Sequence, residues 1–188
     1  MIRKATEHDI DAVEQGYTEL LTHEKENGSS SNWVLGVYPT RSVAEASCAA
    51  GTLYVMEEED GICASMILNQ VQSEEYYGIA WEYPAGDDEV LVLHTLCIPP
   101  SKAGHGYGTR MVRYAIEEAR RMKCRAMRLD TYAGNKPAAS LYTKLGFRYA
   151  GIASVMLQGL IPEEQIFFEL GLWFRQRIIR LDNRHPTE

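Results

Sequence analysis

An apolar segment, a glycine-rich turn and an amphipathic segment follow one another between residues 96 and 122, and they restrict the fold more than any other part of the chain. The apolar segment contains residues that favour strands and ends at two prolines. Glycines at positions 104, 106 and 108 form the turn. Apolar residues then recur at helical spacing from Val112 to Met122. The order strand, turn, helix predicts one right-handed β-α-β crossover at this point.

The glycine-rich turn is suited to binding an anion. Because Gly104, Gly106 and Gly108 have no side chains, backbone N–H groups at the start of the helix can all point at one anionic group, such as a nucleotide pyrophosphate. The spacing excludes a P-loop, which needs Lys and then Ser or Thr after its last glycine. A dinucleotide-binding turn stays an alternative. Thr109 replaces its third glycine, but Asp130 ends the next predicted strand, where such folds place a ribose-binding acid.

A second motif occupies residues 135 to 147 and reads Asn-Lys-Pro-Ala-Ala-Ser-Leu-Tyr-Thr-Lys-Leu-Gly-Phe. Its Asn135 suits a helix N-cap, and Gly146 suits a helix end. The segment resembles the motif Asn-x-x-Ala-x-x-Leu-Tyr-x-x-x-Gly-Phe of the GNAT acetyltransferases. The glycine-rich turn resembles the other motif of that family, Gln/Arg-x-x-Gly-x-Gly/Ala, with Ala103 at the Gln/Arg position. The resemblance covers about residues 1 to 172.

The predicted fold class is α/β, a GNAT-like mixed and mostly antiparallel sheet with a central β-α-β crossover and helices on both faces. Residues 1–172 are expected to form a single domain. The turn before the last strand is expected at Gly159 to Glu164 and that strand at Gln165 to Leu172. Residues 173–188 form a basic and apolar C-terminal extension, for which a surface helix, a strand-end extension or the arm of a homodimer all fit.

The resemblance implies that acetyl-CoA is the cofactor. Backbone groups of the strand before the turn are expected to pair with the pantetheine arm, and the turn to hold the pyrophosphate. Asn135 is expected to contact the cofactor, and Tyr142 to be the acid that faces the sulfur. The remaining expected cofactor-binding residues are Leu96, Cys97, Ile98, Ala103, Gly104, His105, Gly106, Tyr107, Gly108 and Thr109.

The catalytic base has a candidate in His94, which shares strand parity with Leu96 and has an unperturbed pKa of about 6.5. Some small-amine acetyltransferases of this family carry a histidine at the corresponding place. The alternatives are a core histidine with one hydrogen bond, and a water chain that serves as the base.

Aromatic residues suggest where the acceptor binds. Trp33 and Tyr38 lie between the first two predicted helices, which border the acceptor pocket in a GNAT-like fold. Trp81 and Glu82 belong to a long insertion, residues 71 to 88, that mixes aromatic and acidic side chains. Such a mixture suits an ammonium group, although a solvated acidic loop would have the same composition.

Charge and composition narrow the function further. The net charge of −7 disfavours a nucleic-acid partner and favours a cationic one, such as an amine. The four cysteines form no metal-binding or disulfide pattern, so no metal is expected, and no apolar segment suggests a membrane partner or a signal peptide. A cytoplasmic N-acetyltransferase that acts directly on a primary amine, most simply a small molecule, is therefore expected. A protein N-terminus as acceptor, a non-catalytic acyl-CoA-binding module and an NAD-dependent oxidoreductase remain alternatives.

Overall fold

A computed structural model describes residues 1–172, and the expected C-terminal extension lies outside these described residues. They form seven strands and four α-helices, which we number in chain order. These elements are β1 (Ile2–Lys4), α1 (Ile10–Asn27), α2 (Arg41–Ala49), β2 (Leu53–Glu58), β3 (Gly61–Asn69), β4 (Val90–Cys97), α3 (Tyr107–Arg121), β5 (Ala126–Tyr132), α4 (Lys136–Lys144), β6 (Arg148–Leu157) and β7 (Ile161–Gly171). None of the described helices is both long and apolar enough to cross a membrane.

The strands form one sheet in the order β1-β2-β3-β4-β5-β7-β6. All neighbours in it are antiparallel except β4 and β5, which are parallel and are joined through α3. The predicted mixed sheet with one central crossover is therefore confirmed. A doubly wound dinucleotide-binding fold would need repeated crossovers, which the described sheet does not have.

The two faces of the sheet are covered by different helices. Apolar residues of α3, including Met111 and Ala115, are fully buried in one cluster with Tyr54 and Met56 of β2. The alternate residues of β2, such as Val55, lie in a second cluster with α1 and α2. Because successive side chains of a strand point to opposite faces, this alternation buries both faces of β2. Removal of this apolar surface from water is the main force that holds the helices in place.

The insertion between β3 and β4 is fixed to the sheet by two buried charged residues. Arg128 of β5 stacks on the ring of Trp81, with its guanidinium carbon 4.3 Å from the ring centroid. Glu169 of β7 is 0% exposed and accepts hydrogen bonds from the backbone N–H groups of Glu82 (2.7 Å) and Tyr83 (3.2 Å). Its carboxylate also pairs with Arg148 at 3.0 Å. The insertion is therefore a packed part of the domain.

The turn between β6 and β7 is shorter than the sequence suggested. It spans residues 158 to 160, and β7 begins at Ile161, so the turn predicted at Gly159 to Glu164 was wrong. Gln158 and Gly159 both have positive φ angles, 53° and 68°, which allow the chain to reverse within a few residues. As a result Glu163, which was expected in the turn, belongs to a strand and is buried.

Candidate active site

The parallel strands β4 and β5 separate halfway along their length. Their last paired residues are Leu93 and Leu129, and beyond them β4 stays paired only with β3 on its other edge, as far as Cys97 and Ser65. The pairing of β4 with β3 has a bulge between His94 and Cys97, and Thr95 within it has a φ of 50°, which is rare for a β-branched residue. The separation leaves backbone groups of β4 without partners in β5, and a cavity opens there.

This cavity has a volume of about 630 Å³. Seven of the residues expected to bind cofactor or substrate, or to act in catalysis, line it: Trp33, Tyr38, His94, Leu96, Ile98, Asn135 and Tyr142. Further walls come from the insertion, β5 and the β6–β7 hairpin, through Ser73, Glu75, Asp130, Thr131, Tyr132, Met156, Glu163 and Gln165. Residues from distant parts of the sequence thus meet at the point where the strands separate.

The glycine-rich turn lies next to this cavity. Gly104 and Gly106 have φ angles of 83° and 73°, and no atom lies within 4 Å of the position where a Cβ atom would stand. Within the described chain, the N–H groups of residues 107 to 109 at the start of α3 have no backbone acceptor. A Cβ on Gly108 would lie 3.3 Å from Leu141 and 3.5 Å from Ile98, so this glycine lets α3 approach the cavity wall. The open turn with free donors fits a pyrophosphate group.

The cationic side chains near the glycine-rich turn are already paired with acids. Ala103 is exposed and offers no polar side chain. Arg110 pairs with Glu58 at 2.7 Å, and Lys102 pairs with Asp60. The backbone donors are therefore the main feature for anion binding at this turn.

Tyr142 points its hydroxyl group into the cavity. Asn135 caps α4 by accepting a hydrogen bond from the N–H of Ala138 (3.1 Å), which fixes the helix that carries Tyr142. The ring packs against Phe147 and Phe168, and the residue is 4% exposed. Its hydroxyl has no hydrogen-bond partner in the described part of the chain. Burial raises the pKa of Tyr142 well above its usual value, so the hydroxyl keeps its proton at neutral pH.

Asp130 is the first residue of β5 beyond its pairing with β4, and it lines the same cavity. The hydroxyl of Tyr76, from the insertion, donates a 2.5 Å hydrogen bond to Asp130 Oδ1. Burial raises the pKa of Asp130 to about 6, and the bond from Tyr76 opposes this shift. This carboxylate is mostly ionised at neutral pH and can accept a proton. The sequence analysis considered Asp130 only as a ribose-binding acid.

His94 lines the cavity in a neutral form. Its Nε2 lies 3.1 Å from Oδ1 of Asn69, and that oxygen also accepts a hydrogen bond from the N–H of Val71. Nε2 is therefore the donor, and only Nδ1 could accept a proton. Burial lowers the pKa of His94 to about 4, which makes it a weaker base than its unperturbed value suggested.

The loop after α1 supplies the aromatic side of the cavity. Glu24 accepts hydrogen bonds from Ser29, Ser30 and Ser31, so it fixes this loop at the end of its own helix. Trp33 and Tyr38 follow and meet edge to face, with ring centroids 5.7 Å apart. The Tyr38 hydroxyl contacts the hydroxyl of Thr95 at the bulge, which joins the loop to β4.

Three of the expected site residues have other positions. Trp81 packs on Phe167 and donates a hydrogen bond to the carbonyl of Tyr76, and Glu82 pairs with Arg148, so neither lines the cavity. The side chain of Cys97 points away from it, into the cluster between the sheet and α1. For the insertion, the structure brings Ser73, Glu75 and Tyr76 to the site in place of Trp81 and Glu82.

Known acetyltransferases are similar to this chain in sequence pattern and in fold. The family model described as acetyltransferase (GNAT) family matches residues 17–147. A GNAT-family acetyltransferase from Streptococcus agalactiae 2603 is 21% identical over 93% of this chain and 96% of its own, with a TM-score of 0.76. YncA of Salmonella typhimurium, solved with its cofactor acetyl-CoA, is 17% identical over 93% of this chain and 94% of its own, with a TM-score of 0.68.

A ribosomal-protein-alanine N-acetyltransferase from Brucella melitensis is also similar in structure, with 21% identity over 92% of this chain and 99% of its own and a TM-score of 0.66. At these identities the structures show a common fold and do not identify the acceptor. Comparison with the sequences of curated proteins found no match.

Proposed function

We infer the reaction from the premise that this chain belongs to the GNAT acetyltransferase family and is an acetyltransferase whose cofactor is acetyl-CoA. We propose that it transfers the acetyl group directly to the primary amine of a small cationic molecule. The observation that carries the proposal is that Asp130 and Tyr142 line one cavity at the point where β4 and β5 separate. A carboxylate that can accept a proton and a hydroxyl that can donate one are the two groups that this reaction needs.

Acetyl-CoA, when bound, supplies the thioester whose carbonyl carbon is attacked. The N–H groups at the start of α3 would hold its pyrophosphate, and the unpaired backbone of Leu96 and Ile98 would bind its pantetheine arm. Gly108 supports both contacts because it allows α3 to lie against Ile98. The open turn keeps the phosphate position free of side chains.

The two proton transfers fall to different residues. An amine is mostly protonated at neutral pH, so Asp130 takes a proton from its nitrogen, and the nitrogen forms the new bond to carbon. Tyr142 would give its hydroxyl proton to the sulfur as the carbon–sulfur bond breaks, and its oxygen would take back the second proton that the nitrogen loses on becoming an amide. Asp130 would then release its proton to solvent. The products are the N-acetylated amine and CoA with a free thiol. His94 is the second candidate for the base, but its lowered pKa favours Asp130.

The experiment that tests this function measures free CoA thiol when the protein is mixed with acetyl-CoA and a panel of primary amines. We expect release that depends on the amine, together with the mass of the N-acetylated product. Tyr142→Phe removes only the hydroxyl, so it should lower kcat by roughly 10²–10⁴-fold with little effect on stability. Tyr114→Phe, which removes a hydroxyl from α3 outside the cavity, is the matched control and should keep its kcat. A Tyr142→Phe enzyme with normal single-turnover chemistry would remove Tyr142 from the reaction.

A further inference from the structure

All charge around the acceptor side of the cavity is negative. Glu24, Glu75, Asp130 and Glu163 line it, and no lysine or arginine within residues 1–172 does so. His94 adds no positive charge at neutral pH. Glu75, Asp130 and Glu163 also form no ion pair with any described cation. Carboxylates held out of water without a cation are costly to the protein, so a bound cation would be stabilised here.

The acids are not equivalent. Both oxygens of Glu24 are occupied by donors from Ser29, Ser30 and Ser31. Glu163 is 8% exposed, and each of its oxygens accepts only one hydrogen bond, from Asn32 (2.8 Å) or Gln165 (2.7 Å). A carboxylate oxygen has room for a second donor.

Glu75 is half-buried and has no hydrogen-bond partner in the described region. Glu75 and Glu163 are therefore available to bind a cation beside the one that reacts at Asp130.

The negative lining continues beyond Glu163. A second cavity, of about 810 Å³, shares Tyr132, Val155, Met156 and Glu163 with the first and is also lined by Glu164. Its charged lining residues are both acids.

The unpartnered hydroxyl of Tyr142 is a separate observation that points to a ligand in this space. Tyr142 is more than nine-tenths buried, yet its hydroxyl points into the cavity and has no partner among residues 1–172. This hydroxyl is open to the cavity, so it can donate a hydrogen bond to a molecule bound there. Trp33 and Tyr38 also present rings to the cavity, and ring faces attract ammonium groups.

We propose that the acceptor is a diamine or polyamine, whose reacting amine lies between Asp130 and Tyr142 and whose second ammonium group binds Glu163 and Glu75. This inference rests on the proposed function and names its substrate class. A single ammonium group would leave the two further carboxylates without a counter-charge, whereas an aliphatic chain with a second ammonium group supplies one.

The test compares amines of equal length that differ in one charge. We would measure kcat/KM for 1,4-diaminobutane and spermidine against 1-aminobutane, and express each result as the ratio of diamine or polyamine to monoamine. We expect a ratio of about ten or more in the native enzyme, the range of one charged hydrogen bond. Glu75→Gln and Glu163→Gln should each lower the ratio by about tenfold. A loss of folded enzyme cancels in this ratio.

Glu74→Gln is the matched control, because Glu74 is the exposed neighbour of Glu75 and does not line the cavity. Its ratio should stay at the native value. A native ratio near one, or a ratio that neither Glu75→Gln nor Glu163→Gln changes, would overturn the inference. A kcat/KM for the N-terminus of a lysine-containing peptide that is higher than the values for the diamine and polyamine would also overturn it, because this result would indicate a peptide acceptor. If no amine releases CoA, the proposed function itself fails, and that result is distinct from the others.

Discussion

Replacement of Asp130 by Asn tests which group is the base. The substitution keeps the shape of the side chain and the hydrogen bond from Tyr76 but removes the ability to take a proton. We expect kcat/KM for the amine to fall by roughly 10²–10⁴-fold at pH 7.5, the usual effect of a lost general base. Asp88→Asn, at an exposed acid of the insertion that does not line the cavity, is the matched control and should keep the native rate.

The pH dependence gives the sharper result. With a pKa of about 6, Asp130 is ionised to about 90% at pH 7 and to about 10% at pH 5. The rate advantage of native enzyme over Asp130→Asn should therefore shrink about tenfold between these pH values. The ionisation of the amine affects both enzymes equally and cancels in this comparison.

Neighbouring groups set the pKa of Asp130 and therefore the pH at which the rate falls. Tyr76 lowers the pKa of Asp130 by its hydrogen bond, and the charge of Glu75 raises it. Tyr76→Phe should therefore move the midpoint of this fall in rate above pH 6. If His94 were the base, its pKa of about 4 would leave the native profile nearly flat from pH 7 to pH 5. A rate advantage that stays constant across this range would refute the assignment of Asp130.

Two further predictions concern the cofactor turn and the insertion. Gly106→Val should abolish the rise in melting temperature that CoA causes, which corresponds to about 2.7 kcal/mol at a hundredfold excess over Kd. Gly159→Val is the control, because Gly159 has a similar positive φ but lies outside the glycine-rich turn, so the variant should keep that rise despite comparable backbone strain. Normal CoA binding by Gly106→Val would show that the glycine-rich turn is not the phosphate site. Glu169→Gln should lower the free energy of unfolding, measured in urea, by about 2–3 kcal/mol, because it neutralises the fully buried carboxylate that accepts from the N–H groups of Glu82 and Tyr83 and pairs with Arg148. Glu82→Gln, which removes the 56%-exposed partner of the same arginine, should cost under about 1 kcal/mol, and equal losses would contradict this account.

The sequence predicted the fold well because its signals are local. Alternating glycines before an amphipathic segment, and Asn135 with Gly146 at the ends of α4, determine turns and helix ends within a few residues. The central crossover follows from these signals and from the handedness of strand connections. Trp33 and Tyr38 line the cavity, and their contact with an acceptor stays a prediction.

The remaining site residues depend on contacts between distant segments. Tyr76 and Asp130 are 54 positions apart, and no local pattern indicates that the insertion brings them together. Trp81 was expected at the acceptor site because it accompanies acids in a loop, but Arg128 of β5 holds its ring elsewhere. Glu163 was missed because Gln158 adopts a positive φ that few non-glycine residues adopt, which shortens the turn.

The acidic lining of the cavity has a consequence for the product of the proposed reaction. Acetylation converts an ammonium group into a neutral amide, so the product carries one positive charge fewer than the substrate. The carboxylates around Asp130 and Glu163 attract it less strongly, while the spent CoA keeps all its phosphates and remains attractive to the N–H groups of α3. The acetylated amine should therefore leave first and inhibit the enzyme weakly, and CoA should be the stronger product inhibitor.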